Sequence, residues 1–175
     1  MPLQQFLAFY QVIEFYFPTY LGLKIRDSIL EIVKKPDFDP DNPTDREKLL
    51  KDIKPFISRD KMNEQSQLKY TIEACLESQN LLNFIEIDEG IREALTNNGN
   101  ILSKHKLELD DKNIDIRELV AKRLYDIRCK VVHTKGDENP ILPFTKEAEA
   151  LNYDVELIQY IAQQVLIANS KLLQV

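Results

Sequence analysis

The chain has 175 residues, two cysteines, four glycines and a formal net charge of -6, a size at which folding buries roughly 70% of the unfolded surface and needs neither disulfide nor metal to hold a core. An acidic balance excludes a general nucleic-acid coat, which depends on concentrated positive charge, and the few scattered glycines exclude a phosphate-cradling loop. No run reaches the ~20 apolar residues of a membrane span and the start lacks a signal peptide's basic segment and cleavage site, so the expected location is the cytoplasm.

In chain order, the aromatic pattern Phe6, Phe9, Tyr10, Phe15 and Phe17 predicts a first helix from Pro2 to Phe17, stopped by Pro18, with its aromatics in the core. A second helix from Thr19 or Tyr20 to Lys35 has Leu21, Ile25, Ile29, Ile32 and Val33 as its buried side. Pro and Asp at alternate positions make 36–43 a loop. Thr44 with Glu47 forms a capping box that opens a short helix through Ile53, ended by Pro55. Residues 63–97 hold two or three further helices, built on Leu68 and Ile72, on Leu81, Leu82 and Ile85, and on Ile91 and Leu95. The run Asn97-Asn98-Gly99-Asn100 is a helix terminator and loop. The stretch 101–111 fits neither period, and its His105 reads as a surface histidine.

Ile116, Leu119, Val120, Leu124, Ile127 and Val131 recur every three or four residues, so 114–135 is a helix with one buried stripe, stopped by Gly136. A loop carrying Pro140 and Pro143 follows. Thr145 then caps a turn of helix to Ala150, and Asn152 or Asp154 opens a final helix to about Leu172. Nothing alternates with a period of two long enough for a sheet. The predicted fold is all-α, a single-domain helical bundle over residues 1–175 with an additional group of helices between the first pair and the 114–135 helix. Met1-Pro2 enters the first helix without a convincing cap, as an excised domain would.

Arg128 and His133 close the 114–135 helix. They set a general acid/base beside a permanent cation, the combination that phosphodiester cleavage needs, and the helix dipole at that end favours the imidazolium form. Between 117 and 135 stand Arg117, Lys122, Arg123, Arg128, Lys130 and Lys135 against Glu118 and Asp126. That surplus of four positive charges is either a solvated helix face laced by pairs such as Asp126 with Lys130 or a phosphate-facing patch. Glu14 could orient Arg128 if the first helix packs nearby, or be an acid satisfied by a neighbouring base. Two His and two Cys without metal-site spacing argue against a metal centre, and no cofactor is expected. Cys75 and Cys129 read as reduced thiols; Cys129 shares a helix face with His133, but a nucleophile there would lack a third orienting group.

The string Tyr125-x-Ile127-Arg128-x-Lys130-x-Val132-His133-Thr134-Lys135 resembles the signature of the HEPN superfamily, all-helical domains many of which are metal-independent ribonucleases or remnants of them. Arg128 and His133 match the family's arginine and histidine, and the aromatic first helix with its embedded Glu14 resembles that of a subset. The resemblance implies a HEPN-type bundle acting as a homodimer, with two motifs facing one cleft. Positions five apart on a helix diverge by roughly 140°, which a shared cleft would relieve. It further implies an endoribonuclease that uses the substrate's 2'-hydroxyl as nucleophile, of the bacterial toxin or antiviral-defence kind, with RNA and an antitoxin or sensor domain as partners. Arg128 and His133 would be catalytic, and Lys130, Lys135, Glu14 and Tyr125 supporting or RNA-binding. The position after the arginine, often Asn, Asp or His in active members, is Cys129 here. The other reading is a non-catalytic HEPN-like dimerisation or RNA/protein-interaction module.

Overall fold

The computed structural model describes residues 1–57, 64–97, 102–109, 114–132 and 145–170. Among them the regular structure is helical throughout: α1 (Pro2–Phe15), α2 (Phe17–Val33), α3 (Pro43–Ile57), α4 (Glu64–Cys75), α5 (Ser78–Glu86), α6 (Glu89–Thr96), α7 (Ile116–Val132) and α8 (Lys146–Ser170). The all-α expectation holds, with α3 to α6 inserted between the first pair and the helix that carries Arg128. No helix among the described residues is long and apolar enough to cross a membrane.

α1 buries Phe6, Tyr10 and Ile13, spaced three and four apart, against the 25-residue α8. The two helices run side by side in the same direction: the start of α1 shares a crevice with Thr145, Ala148 and Asn152, while Tyr20, just after α1, accepts a hydrogen bond from Asn169 Nδ2 at 2.9 Å. α7 is the other buried spine, with Ile116, Val120, Leu124 and Ile127 inside. α4 packs on both α7 and α2, α5 on α6 and α7, and α6 on α8. One apolar cluster joins residues of α1, α2 and α4 to α8 with Leu102 and Leu107.

Several helix ends differ from the sequence expectation. The first break falls at Tyr16 (φ -92°, ψ -4°), and Pro18 lies in the first turn of α2 rather than after the end of α1. A proline there loses nothing, because its missing N–H would have been unpaired anyway. α2 buries only Phe17 and Tyr20 fully; Leu21, Ile25, Ile29 and Ile32 are half-buried and Val33 is exposed, because this helix packs on α4 and α3 near the molecule's edge. α3 starts at Pro43 and is capped by Asn42, whose Oδ1 accepts from Thr44 N at 2.9 Å, so Thr44 is inside the helix and no capping box forms. The helix also continues past Pro55 to Ile57.

Three helices occupy 64–96, and Asp88 caps the third by accepting from Ile91 N at 2.9 Å. The C-terminal turn and final helix are one element: α8 begins at Lys146, with Thr145 Oγ1 accepting from Ala148 N at 3.3 Å. The described part of α7 ends at Val132, so His133, Lys135 and Gly136 lie outside the described residues.

Candidate functional site

Arg128 sits on the last described turns of α7, one position past the buried Ile127, as its place at the edge of the apolar stripe requires. Its Nε lies 2.9 Å from Oε1 of Glu64, the first residue of α4, and its guanidinium carbon is 6.0 Å from the centre of the Tyr10 ring. The arginine is thus held between a carboxylate and an aromatic face, two contacts that fix a planar cation. The side chain keeps 21% of its surface exposed.

The arrangement beneath it is sealed. Tyr10 Oη and Glu64 Oε1 are both removed from solvent and neither makes a well-aligned hydrogen bond, so the Arg128–Glu64 contact is an ion pair with imperfect alignment. Burial is the main force that pushes the Tyr10 hydroxyl far above its ordinary pKa, and the Glu64 carboxylate adds to it. Tyr10 therefore stays neutral and cannot serve as a general base. Tyr125, half-buried where Tyr10 is fully buried, stands beside the Cys129 thiol one turn along α7, and burial raises its pKa in the same way. Cys129 takes part in contacts of this cluster.

Glu14, the acid offered by sequence as the partner of Arg128, is exposed on α1, and the ion pair goes to Glu64 instead. Nothing in the sequence could have supplied this pairing, since Glu64 and Arg128 are far apart and neither has a local pattern that points to the other. Lys130 is directed inward: its ammonium donates to the Leu102 carbonyl at 2.8 Å and lies 3.7 Å from Asp126 Oδ2, with 19% of the side chain exposed.

Among the described residues, the cations of this window meet Glu118 and Asp126 within it and Asp115, Asp154 and Glu64 from outside it. Arg117 is bound by Asp115, at 2.6 Å from NH2 to Oδ2, and also donates to the Glu73 and Leu76 carbonyls. Arg123 is fully buried, with Nε and NH2 2.6 and 2.9 Å from the Asp154 carboxylate oxygens and NH1 3.1 Å from the His105 carbonyl. Lys122 is 2.7 Å from Glu118, which Lys69 of α4 also contacts. Each described cation of α7 therefore has an acidic partner. Arg123 belongs to the core rather than to any surface patch, and Asp154 is its partner rather than a helix cap.

His105 is half-buried and its pKa is lowered chiefly by burial. It lies in an irregular segment fastened to α7: Ser103 Oγ donates to Asp126 Oδ2 at 2.6 Å, and the Leu102 and His105 carbonyls receive Lys130 and Arg123. Among the described residues no His, Cys, Asp or Glu side chains gather as a metal would require. Comparison of the chain with protein-family models, with characterised proteins and with solved structures returns no match.

Proposed function

We propose that the chain is a HEPN-like domain that cleaves RNA without a metal: the 2'-hydroxyl attacks the adjacent phosphorus, the P–O5' bond breaks to leave a 2',3'-cyclic phosphate and a 5'-hydroxyl, Arg128 stabilises the growing charge, and His133 moves the proton from the 2'-oxygen toward the departing 5'-oxygen. The observation that carries this reading is the setting of Arg128. It approaches Glu64 through Nε at 2.9 Å, lies over the Tyr10 ring, and keeps 21% of its side-chain surface exposed. A guanidinium held beside a carboxylate and an aromatic face, with part of its surface open to solvent, can present planar charge to a phosphate, and preorganised charge is what stabilises a transition state without further reorganisation. The acid/base chemistry rests on His133, whose place five residues on matches the family motif. Two chains sharing a cleft, and an antitoxin or sensor domain restraining them, complete the proposal.

A second reading, a non-catalytic interaction module of the same type, is favoured by a different observation: the described cations of α7 already have acids, and Cys129 stands where active members of the family it resembles often carry a polar residue. Incubating the purified chain with total RNA in EDTA separates the two. The ribonuclease reading expects cleavage that leaves 2',3'-cyclic phosphate ends. It also expects a loss of about 10² to 10⁴ in His133→Ala and a clear loss in Arg128→Lys, whose point charge lacks the fork. Cleavage that stays at the parent rate in a folded His133→Ala protein, or that requires added magnesium, rejects it.

A further inference from the structure

Between α4 and α7 a cavity of 180 Å³ is lined by Gln65, Ser66, Lys69, Glu118, Ala121 and Lys122. Two ammonium groups converge in it on one carboxylate: Lys69 Nζ meets Glu118 Oε2, and Lys122 Nζ lies 2.7 Å from Oε1 of the same residue. These charges come from both walls, one lysine on each helix, and all three side chains are about one-third exposed, so they are reachable from solvent. Glu73 lies 3.8 Å from Lys69 and shares that cation. The two lysines hold the Glu118 carboxyl at about 2, well below its ordinary value, because each donates a hydrogen bond to its charged form.

We propose that this cavity is a phosphodiester-binding subsite in which Glu118 occupies, in the free protein, the seat of a backbone phosphate. A carboxylate and a phosphate both present two oxygens to converging ammonium groups, and Lys binds phosphate as a point charge with three donors. Lys122 is six residues before Arg128, about 9 Å along the helix axis and about 120° around it, so a strand that reaches both must cross the surface of α7 obliquely. Gln65 adds an amide that can donate to the same group. The inference rests on the RNA reading above and extends it, assigning binding of the strand to Lys69 and Lys122 and leaving charge stabilisation at the reacting phosphate to Arg128.

Glu118 gives the proposal its distinctive test, because a competing anion and a structural salt bridge predict opposite outcomes. The binding of a fluorescent, fully 2'-O-methylated single-stranded oligonucleotide, which cannot be cleaved through its 2'-oxygen, is measured across a salt series for the parent chain and for Lys69→Gln, Lys122→Gln and Glu118→Gln. Melting curves verify that each variant is folded. Each lysine variant is expected to weaken binding several-fold and reduce the slope of log affinity against log salt by about 0.7, while Glu118→Gln tightens binding and steepens the slope. A parallel titration with inorganic phosphate, followed by amide shifts in α4 and α7, tells a bare phosphate site from one that needs the strand. Unchanged affinity and slope in the lysine variants, weaker binding by Glu118→Gln, or no oligonucleotide binding by the parent chain overturns the subsite. Cleavage that depends on His133 beside unresponsive lysines rejects the subsite alone. Binding that follows the lysines in a chain that never cleaves rejects only the nuclease chemistry.

Discussion

Asp154 is the residue whose loss the molecule should tolerate least. Its carboxylate is 1% exposed and faces an Arg123 guanidinium with no exposed surface, and burial pushes the Asp154 pKa upward against the pull of that cation. Removing one partner strands a charge in the core, so Asp154→Ala should lower the unfolding free energy by about 3–5 kcal/mol. The double variant Arg123→Met with Asp154→Leu should recover most of it, since apolar side chains of similar volume replace such pairs at little cost. Urea denaturation of the three proteins checks this, and a loss in Asp154→Ala below about 1 kcal/mol would contradict it. The carboxylates of Asp115 and Glu118 act in the other direction. Both are held at about 2, below their ordinary 3.8 and 4.5, chiefly by hydrogen bonds from Arg117 and from Lys122 with Lys69. With the folded-state pKa below the unfolded value, their stabilisation is complete above about pH 5 and is lost as pH falls toward 2. The urea midpoint should therefore drop across that window, and Asp115→Asn should flatten the drop while lowering the midpoint at neutral pH. The pair Arg123 and Asp154 was legible in principle. Arg123 lies three residues after Val120 and four before Ile127, and Asp154 three after Leu151 and four before Ile158, so each holds a core position in an apolar stripe. A charge at such a position on two helices signals a buried pair, whereas composition alone counted Arg123 with the surface cations.

At the scale of helices, apolar periodicity located α1, α7 and the bulk of α8, because these bury a continuous face and burial is what periodicity records. The ends were harder to read, since proline has opposite meanings at the two termini of a helix. Pro18 opens α2, where its ring is compatible with the backbone and no hydrogen bond is given up. Pro18→Ala should accordingly change stability by less than about 1 kcal/mol; a loss of several kcal/mol in thermal unfolding would show that the ring itself sets the α1–α2 corner. The segment 102–109 could not be read at all from its own residues. It has no helical or strand period and is held by partners on α7 that lie 18 to 28 positions away: Arg123 on the His105 carbonyl, Asp126 on Ser103 and Lys130 on the Leu102 carbonyl. Two leucines, Leu102 and Leu107, enter the core from it, and Leu107 N donates to the Leu95 carbonyl at 2.9 Å. Lys130, read from sequence as a phosphate contact, is one of these ties, and Arg128 is left as the described motif cation nearest to a surface role.

Over the whole molecule, burial is unevenly shared, and that inequality has a dynamic consequence. α1, α4, α7 and α8 each place fully buried residues in the common core, while α3 has none among its described residues and meets the rest of the protein mainly through α2. Among its described side chains Leu49 and Ile53 are half-buried, and Leu50 is exposed beside them. α2 offers little in return, since Leu30 and Val33 are exposed on it. An isolated helix of this length is marginal in water and depends on packing for its stability. The α2–α3 contact is therefore expected to open without the remaining helices opening, because local free energies follow local apolar burial. Native-state hydrogen exchange should find the α3 amides exchanging at least about a hundredfold faster than those of α1, α7 and α8, at rates that respond weakly to low urea, while core amides converge on the global unfolding free energy. Leu49→Ala should speed exchange in α3 and leave the α7 and α8 amides unchanged. Equal protection in α3 and α8 would mean that α3 unfolds with the core, and the account of stability by buried face would have to be replaced by one in which its surface pairs, such as Asp45 with Lys48, carry the helix.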